Sequence, residues 1–445
     1  MTHSDRPLAR AMRMRTRWPL ALAGFLILAQ LVNPARVFMM LLVALVLSVG
    51  IAWLWARSLR HHLHARRWSR GGWIVVGDTF VEHFELTNAG FFPLLWAEVR
   101  DFSDMPDYRI DRVVAVGGYG AFTWESEGVC TRRGVFTLGP WELHTSDPLG
   151  LFHITIRYPE SRTLLVYPRV ARLPEFPLPH GRTGGRAARP RPLPLLADQA
   201  AGARLWQPGD SLRLVHWKLT AHTHQLMVRQ FEQEPAGDVW LLLDANEAGQ
   251  AGEGQESTLE YGVTLAASLA AKHLNENRAV GLVAFGREQV VIPPRSGRDH
   301  LWAILYALAH VEPSPDWPLD RTLHHVRADL GRNKTLILIT PVGGAASSSS
   351  GLPHRDADWI AALLQLRRQD IAPAVILLDA ASFRGEANPG LASIRELLAN
   401  HDIPTTVIAQ GYPFHSLGLF RRKRRVLKTL PGFGRVVEME VEEVV

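Results

Sequence analysis

Beyond residue 238 the sequence alternates short, uninterrupted apolar runs with longer segments whose apolar residues recur at helical spacing. Few folds satisfy that alternation. The runs Val239–Leu243, Ala279–Phe285, Gln289–Ile292, Thr335–Ile339, Ala372–Leu378 and Thr405–Ile408 read as strands. Ser257–Asn275, Asp299–Ala309, Asp356–Arg368 and Leu391–Ala399 read as the helices between them. Runs such as Val239-Trp-Leu-Leu-Leu243 lack the polar alternation of a sheet with one wet face, so both faces are expected to be covered. The sequence therefore predicts an α/β domain over 238–410 with a doubly wound, mostly parallel sheet.

Upstream the texture differs. Residues 71–170 carry short runs with period-two patterning, at Trp73–Val76, Thr79–Thr87, Leu94–Arg100, Arg112–Val116, Gly134–Leu138 and Thr163–Tyr167, with turn residues between. That spacing predicts a small, antiparallel, sandwich-like β domain, its first two strands joined by a turn at Gly77-Asp78. Residues 171–203, rich in Pro, Arg and Gly, read as a linker.

The first 17 residues are polar and basic, with Arg6, Arg10, Arg13, Arg15 and Arg17. Two apolar runs follow, Trp18–Val32 and Val37–Ala56, joined by Asn33-Pro-Ala-Arg36. The second reaches about 30 Å as a helix, the thickness of a bilayer core, whereas the first reaches only about 23 Å. Arg57, Arg60, Arg66, Arg67 and Arg70 come next, so both flanks are basic. Positive charge marks the inner face, which predicts a two-pass helical hairpin with both termini and the soluble domains in the cytoplasm. Trp18, Trp53 and Trp55 stand where interfacial aromatics belong.

Composition sets bounds on function. With 47% apolar and 21% charged residues the chain is an ordinary folded protein with membrane content. A net charge of +6 concentrated around the apolar runs points to a membrane surface ahead of nucleic acid. One cysteine, Cys130, excludes an intrachain disulfide and reads as a buried thiol.

Residues 204–237 crowd charge and aromatics together without apolar period: Arg204, Asp210, Arg213, His216, Trp217, Lys218, Arg229, Phe231 and Glu232. Pro208-Gly209-Asp210 reads as a turn that caps a helix over Ser211–Ala221, and Leu226–Phe231 as a strand. As a clamp, Asp210 and Glu232 would pair with Arg213 and Arg229 while Trp217 packs. As a surface, the same group would dock a partner or an anion.

Pro-Gly-Asp, an Arg three residues on, His-Trp-Lys and a basic strand ending in Phe231-Glu232 resemble the bacterial family called domain of unknown function fifty-eight. Arg132–Pro140, Asp147–Phe152 and Val166-Tyr-Pro168 also resemble segments of that family. Ala221-His222 departs from the Ala-Arg that many members carry. The resemblance implies a membrane-anchored, von Willebrand factor A-like domain preceded by a β-rich domain. It also implies work alongside MoxR-type AAA+ ATPases, with no established reaction.

In an open parallel sheet ligands gather at the carboxyl ends of the strands. The implied family of domains binds Mg²⁺ there through Asp-x-Ser-x-Ser and later loops. Here the first loop reads Asp244-Ala-Asn246-Glu-Ala248, with neither serine, and the later one offers Thr340 but no Asp. Asp244, Asn246 and Thr340 are the candidate, degenerate metal ligands; the alternative is that Asp244 caps a loop. His61-His-Leu-His64 and His222-Thr-His224 lack the companions of a zinc site. No phosphate loop or nucleophile elbow occurs, so no catalytic residue is expected. Arg421–Arg425 and the acidic run Glu438–Glu443 form the tail over 411–445.

The reading that emerges is a non-enzymatic, membrane-tethered scaffold whose α/β domain binds a protein partner, with no cofactor. The alternatives are a Mg²⁺-dependent ligand module, and a basic protein bound to lipid or nucleic acid, the latter disfavoured because no aromatics interleave with the arginines.

Overall fold

The computed structural model describes residues 9–69, 73–173, 202–206, 215–230, 238–331, 334–342, 354–416, 422–429 and 436–443. The chain divides into two compact units, Met1–Pro168 and Arg169–Glu443.

The first unit begins with strand β1 (Ala9–Met14), then helices α1 (Trp18–Val32) and α2 (Arg36–His62), then β2 (Leu63–Ser69). It continues through β3 (Ile74–Val75), β4 (Thr79–Asn88), β5 (Leu94–Asp101), β6 (Arg112–Val116) and β7 (Gly120–Val129). β8 (Gly134–Leu138), β9 (Trp141–Ser146), β10 (Phe152–Tyr158) and β11 (Arg162–Tyr167) complete it. Three sheets result, in the orders β1-β10-β9-β5-β6, β2-β4-β7 and β3-β11-β8.

Two expectations change here. The basic N-terminus is not a bare polar tail: Ala9–Met14 alternates exposed and half-buried residues and pairs antiparallel with β10, from Ala9 opposite Arg157 to Met14 opposite Phe152. The turn at Gly77-Asp78 does not make a hairpin either, because Ile74 and Val75 pair in parallel with Val166 and Tyr167 of β11.

The core of this unit takes in more than strands. Ala52, Ala56 and Leu59 on one face of α2 are buried with Leu86, Leu94, Ile154 and Ile156. Among the aromatics, Trp141 stacks on Tyr158 at 4.1 Å. One ionic knot is sealed inside: Arg67 meets Glu82 at 2.7 Å and Asp101 at 2.8 Å, and the Tyr108 hydroxyl donates to Glu82 at 2.6 Å. Burial and the neighbouring Glu82 carboxylate push the Tyr108 phenol well above its ordinary range. Every charge in the knot has a partner, as burial demands.

The second unit opens with β12 (Ala171–Arg172), β13 (Gly202–Leu205), α3 (Trp217–Thr223) and β14 (Met227–Gln230). Then come β15 (Val239–Asp244), the small hairpin β16 (Gly252–Glu253) and β17 (Glu256–Ser257), α4 (Thr258–Asn275), β18 (Val280–Phe285) and β19 (Gln289–Arg295). The helices α5 (Arg298–His310) and α6 (Leu319–Leu330) lead to β20 (Thr335–Val342), α7 (His354–Arg367) and β21 (Ala372–Asp379). Last are α8 (Gly390–Asn400), β22 (Thr405–Ile408), β23 (His415–Ser416), β24 (Arg422–Thr429) and β25 (Val436–Glu443).

The main sheet has the order β19-β18-β15-β20-β21-β22, parallel throughout except for the antiparallel edge strand β19. Both faces are covered. Trp240, Leu242, Val283 and Leu338 pack with Leu323 of α6, Leu363 of α7 and Ile394 of α8. On the other face α4 comes so close that a Cβ on Gly262 would stand 2.8 Å from Leu243. Ser257 starts α4 by accepting the amide of Glu260 at 3.3 Å, half of a capping box.

The mixed α/β reading with a parallel sheet holds, and the linker and tail are corrected in part. Ala171–Arg172 pairs with His415–Ser416, and Gly202–Leu205 with Met227–Gln230. Arg422–Thr429 pairs with Val436–Glu443, so the basic run and the acidic tail lie opposite one another, Arg422 with Glu443, Lys423 with Glu442 and Arg425 with Glu440. Residues 174–201 lie outside the described residues.

Candidate functional site

In chain order the sheet runs 3-2-1-4-5-6, and it reverses direction between β15 and β20, where parallel sheets keep their crevice. Asp244 ends β15, and Thr340 lies near the end of β20. The Thr340 hydroxyl donates to one Asp244 carboxylate oxygen at 2.8 Å, and the amide of Asn246 donates to the other at 3.0 Å. The Gln250 side-chain amide donates to the Asp244 carbonyl at 3.0 Å. Asn246 turns its amide nitrogen to the carbonyls of Ser314 and Pro315, at 3.4 and 3.3 Å. Ser314 in turn donates its backbone N–H to Ala245 at 3.1 Å and its hydroxyl to Asp316 at 3.2 Å.

Asp244, Asn246 and Thr340, which sequence reasoning proposed as ligands, are thus brought together, and all three are buried. Sequence reasoning missed Gln250, Ser314 and Asp316. Nothing in the spacing of Ser314, 68 residues from Asn246, announces that loops after β15 and after α5 will meet.

The donor set does not suit a divalent cation as it stands. Mg²⁺ takes oxygen ligands in near-octahedral order, usually one or two carboxylates with waters. Here each Asp244 oxygen already holds an N–H or O–H, the Asn246 nitrogen faces carbonyls, and the Asp316 carboxylate is engaged by the Ser314 hydroxyl. Among the described residues, no group of three or more His, Cys, Asp or Glu side chains is disposed to hold a metal. What is built is a hydrogen-bonded knot that satisfies one buried carboxylate through dipoles.

The signature segment behaves differently. Pro208, Gly209, Asp210, Arg213, Phe231 and Glu232 lie outside the described residues, and of Arg204 and Arg229 only the backbone pairing is described. α3 is therefore Trp217–Thr223, with His216 as its N-cap: the imidazole accepts the amide of Leu219 at 3.2 Å. His216 N–H also donates to the Met227 carbonyl at 2.7 Å, which ties the helix to β14. Of the two readings, clamp and surface, the exposure of Trp217 accords with the surface, while Asp210, Arg213 and Glu232 of the clamp lie outside the described residues. Leu205 and Leu226 are exposed as well, as is Lys218 beside Trp217. The indole is held on a capped turn and stands 65% exposed. Cys130, by contrast, is fully buried, and burial beside Asp78 pushes its thiol up to about 12, which makes it inert.

A family model described as "Protein of unknown function DUF58" matches residues 202–341, from the start of β13 to the Thr340 loop. The chain is 25% identical over 250 residues to "Uncharacterized protein YeaD" of Bacillus subtilis (strain 168), a match covering 54% of this chain and 60% of that protein. It is 30% identical over 124 residues to "Uncharacterized protein Rv1480" of Mycobacterium tuberculosis (strain ATCC 25618 / H37Rv), covering 25% and 36% respectively. The chain thus spans less than two thirds of the length of these relatives. Among solved structures, a von Willebrand factor type A protein from Catenulispora acidiphila aligns at 15% identity, with a TM-score of 0.23 and coverage of 39% of each chain. A proximal thread matrix protein from mussel byssus aligns at 16% identity and a TM-score of 0.22, covering 33% of this chain and 38% of that one. At such scores neither carries an argument about the fold, which rests on the strand order above.

Proposed function

We propose that this protein is a membrane-anchored, non-catalytic adaptor whose α/β unit is a von Willebrand factor A-like recognition module. The observation that carries the reading is the exposed Trp217 on its capped turn, inside the segment matched by the family model. Large aromatics left open on a rigid element are what protein interfaces use as anchors. The strand order with one antiparallel edge strand, and an Asp at the end of its first strand, support the module type. The closed Asp244 knot supports adhesion without a resident metal. By family resemblance the partner is a MoxR-type AAA+ ATPase.

Anchorage rests on α2, the one described helix long and apolar enough to cross a membrane. A two-pass arrangement is supported by connectivity. β1 precedes α1, β2 follows α2, and both strands belong to the same compact unit. One crossing would separate two strands of one folded body, which favours an even number of crossings. The arginines at that end, Arg13, Arg15, Arg17 and Arg57, favour the cytoplasmic face.

The test is affinity purification from detergent-solubilised native membranes. An AAA+ ATPase should co-purify with the intact chain and be lost with Trp217→Ala while the variant keeps its melting temperature. Recovery of no ATPase with the intact chain would remove the partnership.

A further inference from the structure

Both helices leave the β unit from one end of it. β1 ends there and leads into α1, and α2 runs without a break into β2. The loop 89–93 after β4, the turn 117–119 before β7 and the turn 147–150 between β9 and β10 lie at the same end. The register sets this, with Leu63 opposite Asn88, Asn88 opposite Gly120, and Met14 opposite Phe152.

Helix lengths then raise a question of depth. α1 has 15 residues and reaches ~23 Å, short of a hydrocarbon core of ~30 Å. α2 has 27 residues and reaches ~40 Å, but from Ala52 onward one of its faces is buried in the β unit. Ahead of Ala52 it too offers only ~24 Å. A core of ordinary thickness measured down from the 33–35 connection therefore ends near Trp53 to Ala56, alongside the end of the β unit. There the outer face of α2 is still apolar and open: Ile51 is 56% exposed and Leu54 50%.

What the β unit presents at that level fits a lipid surface. Phe91 is 71% exposed, Tyr119 75% and Leu149 58%. None dangles. Asn88, fully buried, donates to the carbonyls of Phe92 at 2.9 Å and Gly117 at 3.1 Å, and accepts the amide of Gly90 at 3.0 Å. Tyr119 N–H donates to Gly90 at 2.9 Å, which holds its left-handed φ of 53°. Gly118 must be glycine, since a Cβ there would lie 2.1 Å from the Phe91 carbonyl oxygen. Trp55 of α2 fastens the loop by donating to the Pro93 carbonyl at 3.1 Å and by packing on Phe92 at 4.8 Å. Asp147 accepts the amides of Leu149 at 2.9 Å and Phe152 at 2.5 Å, which points the turn outward.

We infer that this end of the β unit is seated in the headgroup–acyl boundary of the bilayer, with Phe91, Tyr119 and Leu149 as rigid lipid contacts. The inference rests on the membrane anchorage proposed above and adds to it that the β unit itself binds lipid. Rings and leucines on loops at this depth add apolar burial at ~25 cal/mol per Å². The basic residues around them, Arg15, Arg17 and Arg57, suit anionic headgroups.

The full chain, reconstituted in vesicles of phosphatidylcholine and phosphatidylglycerol, supplies the test. Single cysteines replace Phe91, Tyr119, Leu149, Phe102 and Met40, one per variant, and carry an environment-sensitive fluorophore; Cys130 is buried and stays unlabelled when folded. Phe102 is the internal reference, 55% exposed but at the far end of β5, ~25 Å away. Labels at 91, 119 and 149 should lose emission to nitroxide-bearing lipid and resist aqueous iodide, while the label at 102 does the reverse. Iodide quenching at 91, 119 and 149 equal to that at 102, with the Met40 label still quenched from lipid, would overturn the seating and leave the anchor standing. A Met40 label beyond the reach of lipid nitroxide would overturn both.

Discussion

The Arg10 guanidinium donates at 2.7 Å to the carbonyl of Arg60, fifty residues away, at the last turn of α2. The same group reaches the carbonyls of His61 at 2.7 Å and Leu63 at 3.1 Å. A helix leaves its final carbonyls without intrahelical donors, and here a strand that precedes both helices supplies them. The chain is thereby stapled across the base of the helix pair.

Arg10→Ala removes three charge-assisted hydrogen bonds to carbonyls, and a contact with His64 Nδ1 at 3.2 Å, at a half-exposed site. Allowing for solvent screening, the expected loss is about 1–3 kcal/mol, read as a lower melting temperature of the detergent-solubilised chain. Arg10→Lys should recover only part of it, because an ammonium keeps the charge near the helix terminus but cannot bridge three carbonyls.

Thr340→Val keeps the shape of the side chain and removes the donor to Asp244. The buried carboxylate is left one partner short, at a cost of about 1–3 kcal/mol in the stability of the α/β unit. Because both Asp244 oxygens are already engaged, millimolar Mg²⁺ should leave the melting temperature of the intact chain where EDTA leaves it. A rise with Mg²⁺, lost in Asp244→Asn, would show instead that the knot opens to a cation.

His273 gives the α/β unit an acid limb. It is 1% exposed in α4, and burial lowers its pKa from 6.5, with Arg278 and Lys272 in the same sense and Glu276, 3.0 Å away, opposing. Its Nε2 is buried without an acceptor, so a second ring proton would be left unbonded. The sign follows. As pH falls below 6.5 the unfolded chain takes up the proton before the folded one does, so stability present above that value is lost on acidification. Thermal melts between about pH 7 and 5 should show that decline, and His273→Gln should flatten it.

How much was legible varied with the range of the interaction. The parallel sheet could be read because runs such as Val239–Leu243 can only be buried on both faces. α6 escaped, although Leu319, Leu323, Val326 and Leu330 mark one helical face, because Asp, Arg and His between them dilute its apolar signal. Asp244 and Thr340 were nameable as candidates from their places at strand ends. That the pair close on each other, with Asn246 spent on the Ser314 loop, was not, since those contacts depend on where two distant loops come to rest. Trp217 fitted both a clamp and a docking surface in sequence, and its exposure is visible only in the fold.

The sequence by itself determined which segments must avoid water: two apolar helices, a β-rich stretch and a doubly covered sheet, because local period and composition fix which faces need cover. Only the tertiary structure decided that Ala9–Met14 joins the sheet beside β10, that the foot of α2 belongs to the β unit's core, and that the basic and acidic runs of the tail pair. Each of those is a match between surfaces far apart in the chain, and no single stretch of sequence carries the register or geometry of its partner.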